Sequence, residues 1–179
     1  MLAIELKSDG LIMKAYNYAR KCHDGTNQEY DGNSYMVHVI GAFGYAAKYI
    51  DLISKPDRAT VLAAVFAHDV IEDTRQTYGD VKKELGERVA EIVYAVTNEK
   101  GKNRKERAND VYYSRIRRKK NADFVKLCDR LSNVRYSVDH GASQAKMYRN
   151  ENKLFVYEVT NRHGHLQPMI SELYYLLSE

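Results

Sequence analysis

The stretch FAHDVIEDT, residues 66–74, places His68, Asp69, Glu72 and Asp73 within six positions, directly after an apolar run. A buried carboxylate without a partner is costly, so a compensating charge is required, and a metal ion is the first candidate. In a helix each residue advances by about 100°, which sets these four side chains within an arc of roughly 140°. His68 and Glu72 stand one turn apart, as do Asp69 and Asp73. Such a face offers an imidazole and a carboxylate to a metal, with two more carboxylates beside them. The small residues of the preceding AAVFA let another helix come close.

A second polar intrusion lies in VKLCDRLSNVR, residues 125–135. Phe124, Leu127, Leu131 and Val134 form the apolar stripe, while Asp129 and Asn133 share a face with Val125 and Tyr136. His38 is the third element, set in the apolar context YMVHVIGAF. Taken singly, each histidine reads as a packed core residue. Together, His38, His68, Asp69 and Asp129 make an N2O2 donor set, which suits Mn²⁺, Fe²⁺, Zn²⁺ or Mg²⁺ better than a soft metal. On an octahedral ion, four protein ligands leave positions for water and substrate, and water there becomes a nucleophile near neutral pH. Glu72 and Asp73 are open to three readings: catalytic support in a one-metal site, a second metal, or a solvated helix end. We favour the first.

The elements that must carry these residues are helical. Two prolines and ten glycines are few breakers for 179 residues. The patterning predicts helices from about Leu11 to His23 and Tyr35 to Tyr49. A third opens at Pro56 and runs through ATVLAAVFAHDVIED, apolar almost all round and therefore central. Thr77 to Asp80 predicts a capping box ahead of VKKELG, with Gly86 as its stop. Further helices are expected at ERVAEIVYAVT, ANDVYYSRIRRKK, ADFVKLCDRLSNVRYSV, 144–159 and 166–177. DGTNQEYDGNS reads as a loop, and no segment carries a period-two strand pattern. The fold class is all-α, a single domain over residues 1–179.

Composition excludes several classes. No run of 18 apolar residues exists, so a membrane span is not expected. MLAIELKSDG lacks the basic and apolar regions of a secretory leader. Cys22 and Cys128 form no disulfide framework and read as small buried residues of a reduced, cytoplasmic protein. The net charge of +4 suits an anionic small molecule and is too weak to argue for nucleic acid. In KGKNRKER, Lys102, Arg104 and Lys105 read equally as a solvated loop or as contacts that close over phosphates. RIRRKK, residues 115–120, reads as solvent-facing.

HDVIEDT, with His38 upstream and VKLCDRLSNVR downstream, resembles the HD-domain phosphohydrolases. More narrowly it resembles the hydrolase domain of RelA/SpoT proteins and the small alarmone hydrolases, from about Ala15 to Tyr148. AHDVIEDT followed by TYGDVKKELGERVAEIVYAVT is specific to that branch. The resemblance implies an all-helical HD-domain bundle, a divalent metal, usually Mn²⁺, and removal of the 3′-pyrophosphate from (p)ppGpp. It places the metal ligands at His38, His68, Asp69 and Asp129, and the carboxylates that position or deprotonate the attacking water at Glu72 and Asp73. It places a ribose-contacting asparagine at Asn133 and a phosphate-contacting lysine at Lys146. This chain departs from the family pattern in places: Asn27, Gln28 and Glu29 replace the basic residues that stack on guanine, Val39 replaces the proline after the metal histidine, and Tyr136 replaces a threonine.

The reading is therefore a metal-dependent hydrolase of a phosphorylated nucleotide, (p)ppGpp first. The alternative within enzymes is the same chemistry on a nucleoside monophosphate, a cyclic dinucleotide or NADPH. The alternative of another class is a non-catalytic nucleotide-binding sensor, against which the intact donor set argues. Oligomeric state, including a homo-oligomer, is left open by the sequence.

Overall fold

The computed structural model describes residues 10–141, 143–160 and 164–178. Of the segment read for a leader, residues 1–10, all but Gly10 lies outside them. Helix α1 (Gly10–Asp24) buries Ile12, Ala15, Ala19 and Cys22 at helical spacing. The stretch read as a loop contains a short hairpin, β1 (Glu29–Tyr30) with β2 (Asn33–Ser34). Asp31 and Gly32 between them both take positive φ, 52° and 74°, as a type I′ turn requires. Two-residue strands are too short to show alternation in sequence.

Helix α2 (Met36–Tyr49) carries His38 in its first turn. A short 3₁₀ turn holding Pro56 leads into α3 (Arg58–Ala67), whose residues Thr60 to Ala67 are all buried. Here the structure departs from the predicted continuous helix. The chain breaks at His68 and Asp69 and resumes as α4 (Val70–Asp73). Asp69 sits at φ −98°, ψ −1°, and the His68 side chain donates from Nδ1 to the Val65 carbonyl at 2.7 Å. The histidine thus serves a carbonyl at the helix end.

Helix α5 (Tyr78–Leu85) starts at the expected capping box, with Thr77 and Asp80 bonded reciprocally, and Gly86 ends it at φ 90°. Helix α6 (Glu87–Val96) follows, then α7 (Arg104–Arg107), α8 (Asp110–Arg118), α9 (Ala122–Asp139), α10 (Gln144–Thr160) and α11 (Gln167–Ser178). The central α3 packs on α1, α2, α6 and α9; α9 in turn packs on α2, α6, α8, α10 and α11. The architecture is all-α. Cys22 and Cys128 are free and buried, and no helix among the described residues is long and apolar enough to cross a membrane.

The α2–α9 contact sets the distance between His38 and Asp129, and it is very close. A Cβ on Gly41 would lie 2.5 Å from Ser132 Oγ, which donates to the His38 carbonyl at 3.1 Å. Gly41→Ala is expected to destabilise the wild-type protein, because overpacking costs about 1–3 kcal/mol and helix propensity returns about 1. In a Ser132→Ala background the same change becomes stabilising. A double-mutant cycle by denaturant unfolding reads the change of sign.

Candidate active site

Three helices deliver four donor atoms to one point. His38 comes from α2, His68 and Asp69 from the break after α3, and Asp129 from the middle of α9. His38 Nε2 lies 3.1 Å from His68 Nε2, 3.4 Å from Asp69 Oδ2 and 3.3 Å from Asp129 Oδ1. His68 Nε2 lies 3.0 Å from Asp69 Oδ2 and 3.8 Å from Asp129 Oδ1. His38, His68 and Asp69 form a buried group of metal-binding type.

The electrostatics of this group call for positive charge. A carbonyl only accepts, so His68 carries a proton on Nδ1 and its Nε2 faces His38. Burial alone would lower the His38 pKa; the Asp129 and Asp69 carboxylates outweigh it and raise it to about 9. Burial alone would likewise raise both carboxyls. The imidazoles around Asp69, and Lys126 beside Asp129, hold them well below the carboxylate range instead. Donors about 2.1 Å from a common ion lie about 3.0–3.4 Å apart, close to the spacing found. The anchored outer nitrogen of His68 is the usual support of an imidazole ligand. The residues fit a divalent cation.

The neighbouring carboxylates are held in different ways. Glu72 accepts from the Asn98 backbone N–H at 3.0 Å and from its side-chain Nδ2 at 2.7 Å. Tyr35 Oη lies 2.7 Å from both Asp69 Oδ2 and Asp73 Oδ2. One phenolic proton serves only one of them. Burial and the Asp69 charge push the Asp73 carboxyl up to about 6, so a proton shared with Tyr35 suits this pair. Asp129 Oδ2 meets Lys126 Nζ at 2.7 Å, and its Oδ1 accepts from Asn133 Nδ2 at 2.5 Å. The Asn133 carbonyl oxygen accepts from Tyr30 Oη at 2.9 Å, so in this conformation its amide is spent inside the protein. Tyr30 also stacks on His38, and Tyr136 donates to Asp31, pinning the hairpin to α9.

A cleft of about 400 Å³ runs from this cluster to a basic and aromatic end. Of the residues picked out in the sequence, His38, Asp69, Glu72, Asp73, Asp129, Asn133, Arg104 and Lys105 line it. His68 sits behind them, 2 % exposed. Lys102 and Lys146 are exposed and are not among the lining residues. The Lys102 backbone is tied to Glu106 at 2.9 Å, and Lys146 stands on an exposed part of α10. Sequence reasoning missed Tyr35, Asn98, Lys126 and Arg130. A signal existed for two of them: Lys126 and Arg130 flank Asp129 in VKLCDRLSNVR, charged residues inside a helix otherwise apolar on most sides.

The HD domain family matches residues 15–165 of this chain. A guanosine-3′,5′-bis(diphosphate) 3′-pyrophosphohydrolase from Aquifex aeolicus (strain VF5) is 35% identical over 129 residues. That match takes in 69% of this chain and 17% of that protein's length. The guanosine-3′,5′-bis(diphosphate) 3′-pyrophosphohydrolase MESH1 of Danio rerio is 28% identical over 129 residues, covering 72% of this chain and 69% of that protein. Among solved structures, one described as a metazoan ortholog of SpoT that hydrolyses ppGpp superposes with a TM-score of 0.69 at 24% identity. It covers 93% of this chain and 95% of that one, a likeness of fold.

The donor geometry makes metal binding visible without any reaction. Mn²⁺ at a hundred times its dissociation constant is expected to stabilise the protein by about 2.7 kcal/mol, raising its melting temperature. Asp69→Asn is expected to abolish that rise while keeping the helical circular dichroism spectrum.

Proposed function

The chain belongs to the HD-domain family, and on that premise we propose that it is a metal-dependent phosphohydrolase that removes the 3′-pyrophosphate of (p)ppGpp. The observation that carries the reading is the convergence of His38, His68, Asp69 and Asp129 at one end of a cleft whose other end is basic. We assign these four residues as ligands of a divalent metal, Mn²⁺ first, because mixed imidazole and carboxylate donors suit it. Such an ion supplies Lewis acidity, lowering the pKa of water and offsetting charge on phosphoryl oxygens.

The chain's own groups do the rest. Glu72, anchored by Asn98, accepts a hydrogen bond from the attacking water and orients it. Asp73, paired with Tyr35, stands ready to hold the proton that the water gives up. Lys126 and Asn133 keep Asp129 in place from both sides. Arg104 and Lys105, at the basic end, take the phosphates of the substrate. Free, buried Cys22 and Cys128 support a reducing, cytoplasmic setting.

One observation favours a second reading, the same chemistry on a nucleotide with another base. The hairpin segment 25–34 contains no lysine or arginine, and its Tyr30 covers the Asn133 amide.

Incubation with Mn²⁺ and ppGpp, followed by product analysis, tests the first reading. GDP and pyrophosphate are expected, with none formed in chelator or by Asp69→Ala. Absence of turnover on ppGpp, together with turnover of an adenine or uracil nucleotide, moves the assignment to the second reading. Glu72→Gln is expected to lower kcat by about 10²–10⁴-fold while keeping the Mn²⁺-induced rise in melting temperature.

A further inference from the structure

At the basic end of the cleft two guanidinium groups share one carboxylate. Arg104 Nε, on α7, donates to Glu151 Oε1 at 2.9 Å and to Oε2 at 3.1 Å. Arg130, on α9, is only 7 % exposed, and its Nη1 lies 3.5 Å from Glu151 Oε2. That separation makes an ion pair and no hydrogen bond: Arg130 Nη1 is a buried donor with none. Both guanidiniums lie over the Tyr148 ring, at 5.5 and 4.6 Å, and Arg130 also lies over Phe155 at 4.0 Å. Arg104, Arg130 and Glu151 all line the same cleft as the donor cluster.

This arrangement is under-compensated. Two cations face one anion, and Lys105 and Arg107 add further positive charge to the same wall. The Tyr148 and Phe155 rings hold the two guanidiniums against the cleft wall by cation–π contact. A carboxylate brings one charge and two acceptor oxygens. A phosphoryl group brings nearly two charges and three acceptor oxygens, and guanidiniums bind it through paired hydrogen bonds. Such a group has an acceptor to spare for the unspent Arg130 donor.

We propose that Arg104 and Arg130 form an anion subsite for a phosphoryl group of the substrate remote from the bond that breaks, and that Glu151 occupies this subsite until the substrate displaces it. This rests on reading the cleft as a phosphohydrolase site. Glu151 then acts as a specificity-determining residue. It excludes monoanions and weakly charged ligands, which cannot outcompete it, and admits those with the charge of a phosphoryl or diphosphate group.

Calorimetric titration of the metal-loaded full chain with inorganic pyrophosphate tests this. Glu151→Gln is expected to bind pyrophosphate roughly tenfold more tightly than the wild type, since a competing charge is gone. Glu151→Gln/Arg104→Gln is expected to lose that gain. Unchanged or weaker binding by Glu151→Gln would overturn the proposal, because Glu151 would then be holding the arginines for the ligand. A gain that survives the double substitution overturns it as well, by locating the anion elsewhere. The titration reads no turnover, so its result is separable from that of the hydrolysis assay.

Discussion

Four donor atoms of like polarity, two imidazole nitrogens and two carboxylate oxygens, are held within 3.0–3.8 Å along five measured pairs. Lone pairs and negative charge at that spacing repel unless a cation or protons lie between them. Three of the four donor residues are also held by neighbours outside the set. The Val65 carbonyl fixes His68, Lys126 and Asn133 brace Asp129, and Tyr35 bridges Asp69 to Asp73. The rest of the fold supplies the stiffness for this. Helix α3, buried from Thr60 to Ala67, carries the His-Asp break, and α2 and α9 close on it to bring His38 and Asp129 within reach.

That closure depends on small atoms at one crossing. Gly41 leaves just enough room for the Ser132 hydroxyl, and Ser132 in turn holds the His38 carbonyl. Backbone approach and ligand position are therefore one variable. The same economy appears at the helix break, where His68 ends α3 with one ring nitrogen and faces the donor cluster with the other.

Charge along the cleft is graded. The end that holds the donor cluster is acidic, with Asp69, Glu72, Asp73 and Asp129, and Lys126 is the cation set among them. The far end is basic and aromatic, with Glu151 as the internal counter-charge. A ligand that is anionic along its length finds a cation-demanding centre at one end and guanidiniums at the other. The hairpin closes the flank, because Tyr30 and Tyr136 fasten it to α9 rather than leaving it as a free loop.

The order of the longer helices, the Thr77 capping box, the central apolar helix and the candidate donor residues His38, His68, Asp69 and Asp129 were legible in the sequence, whereas the short helix α7, Arg104–Arg107, lies in a stretch read as a loop. Helical periodicity and capping are local, and an HD pair inside an apolar run is conspicuous because burial of charge needs a reason. The sequence did not disclose the break at His68–Asp69, since αR-compatible residues continue through it and only the Val65 contact marks it. Nor did it disclose that Tyr35 would join Asp69 to Asp73, that Asn98 would hold Glu72, or that Tyr30 would take the Asn133 amide. These partners lie 26 to 103 positions away in the chain, and no local pattern encodes which distant side chain arrives. The basic residues near 100–107 were ambiguous for the same reason. Tertiary packing alone decided that Arg104 turns to Glu151 and Tyr148 on the cleft wall, whereas Lys102 stays outside the lining.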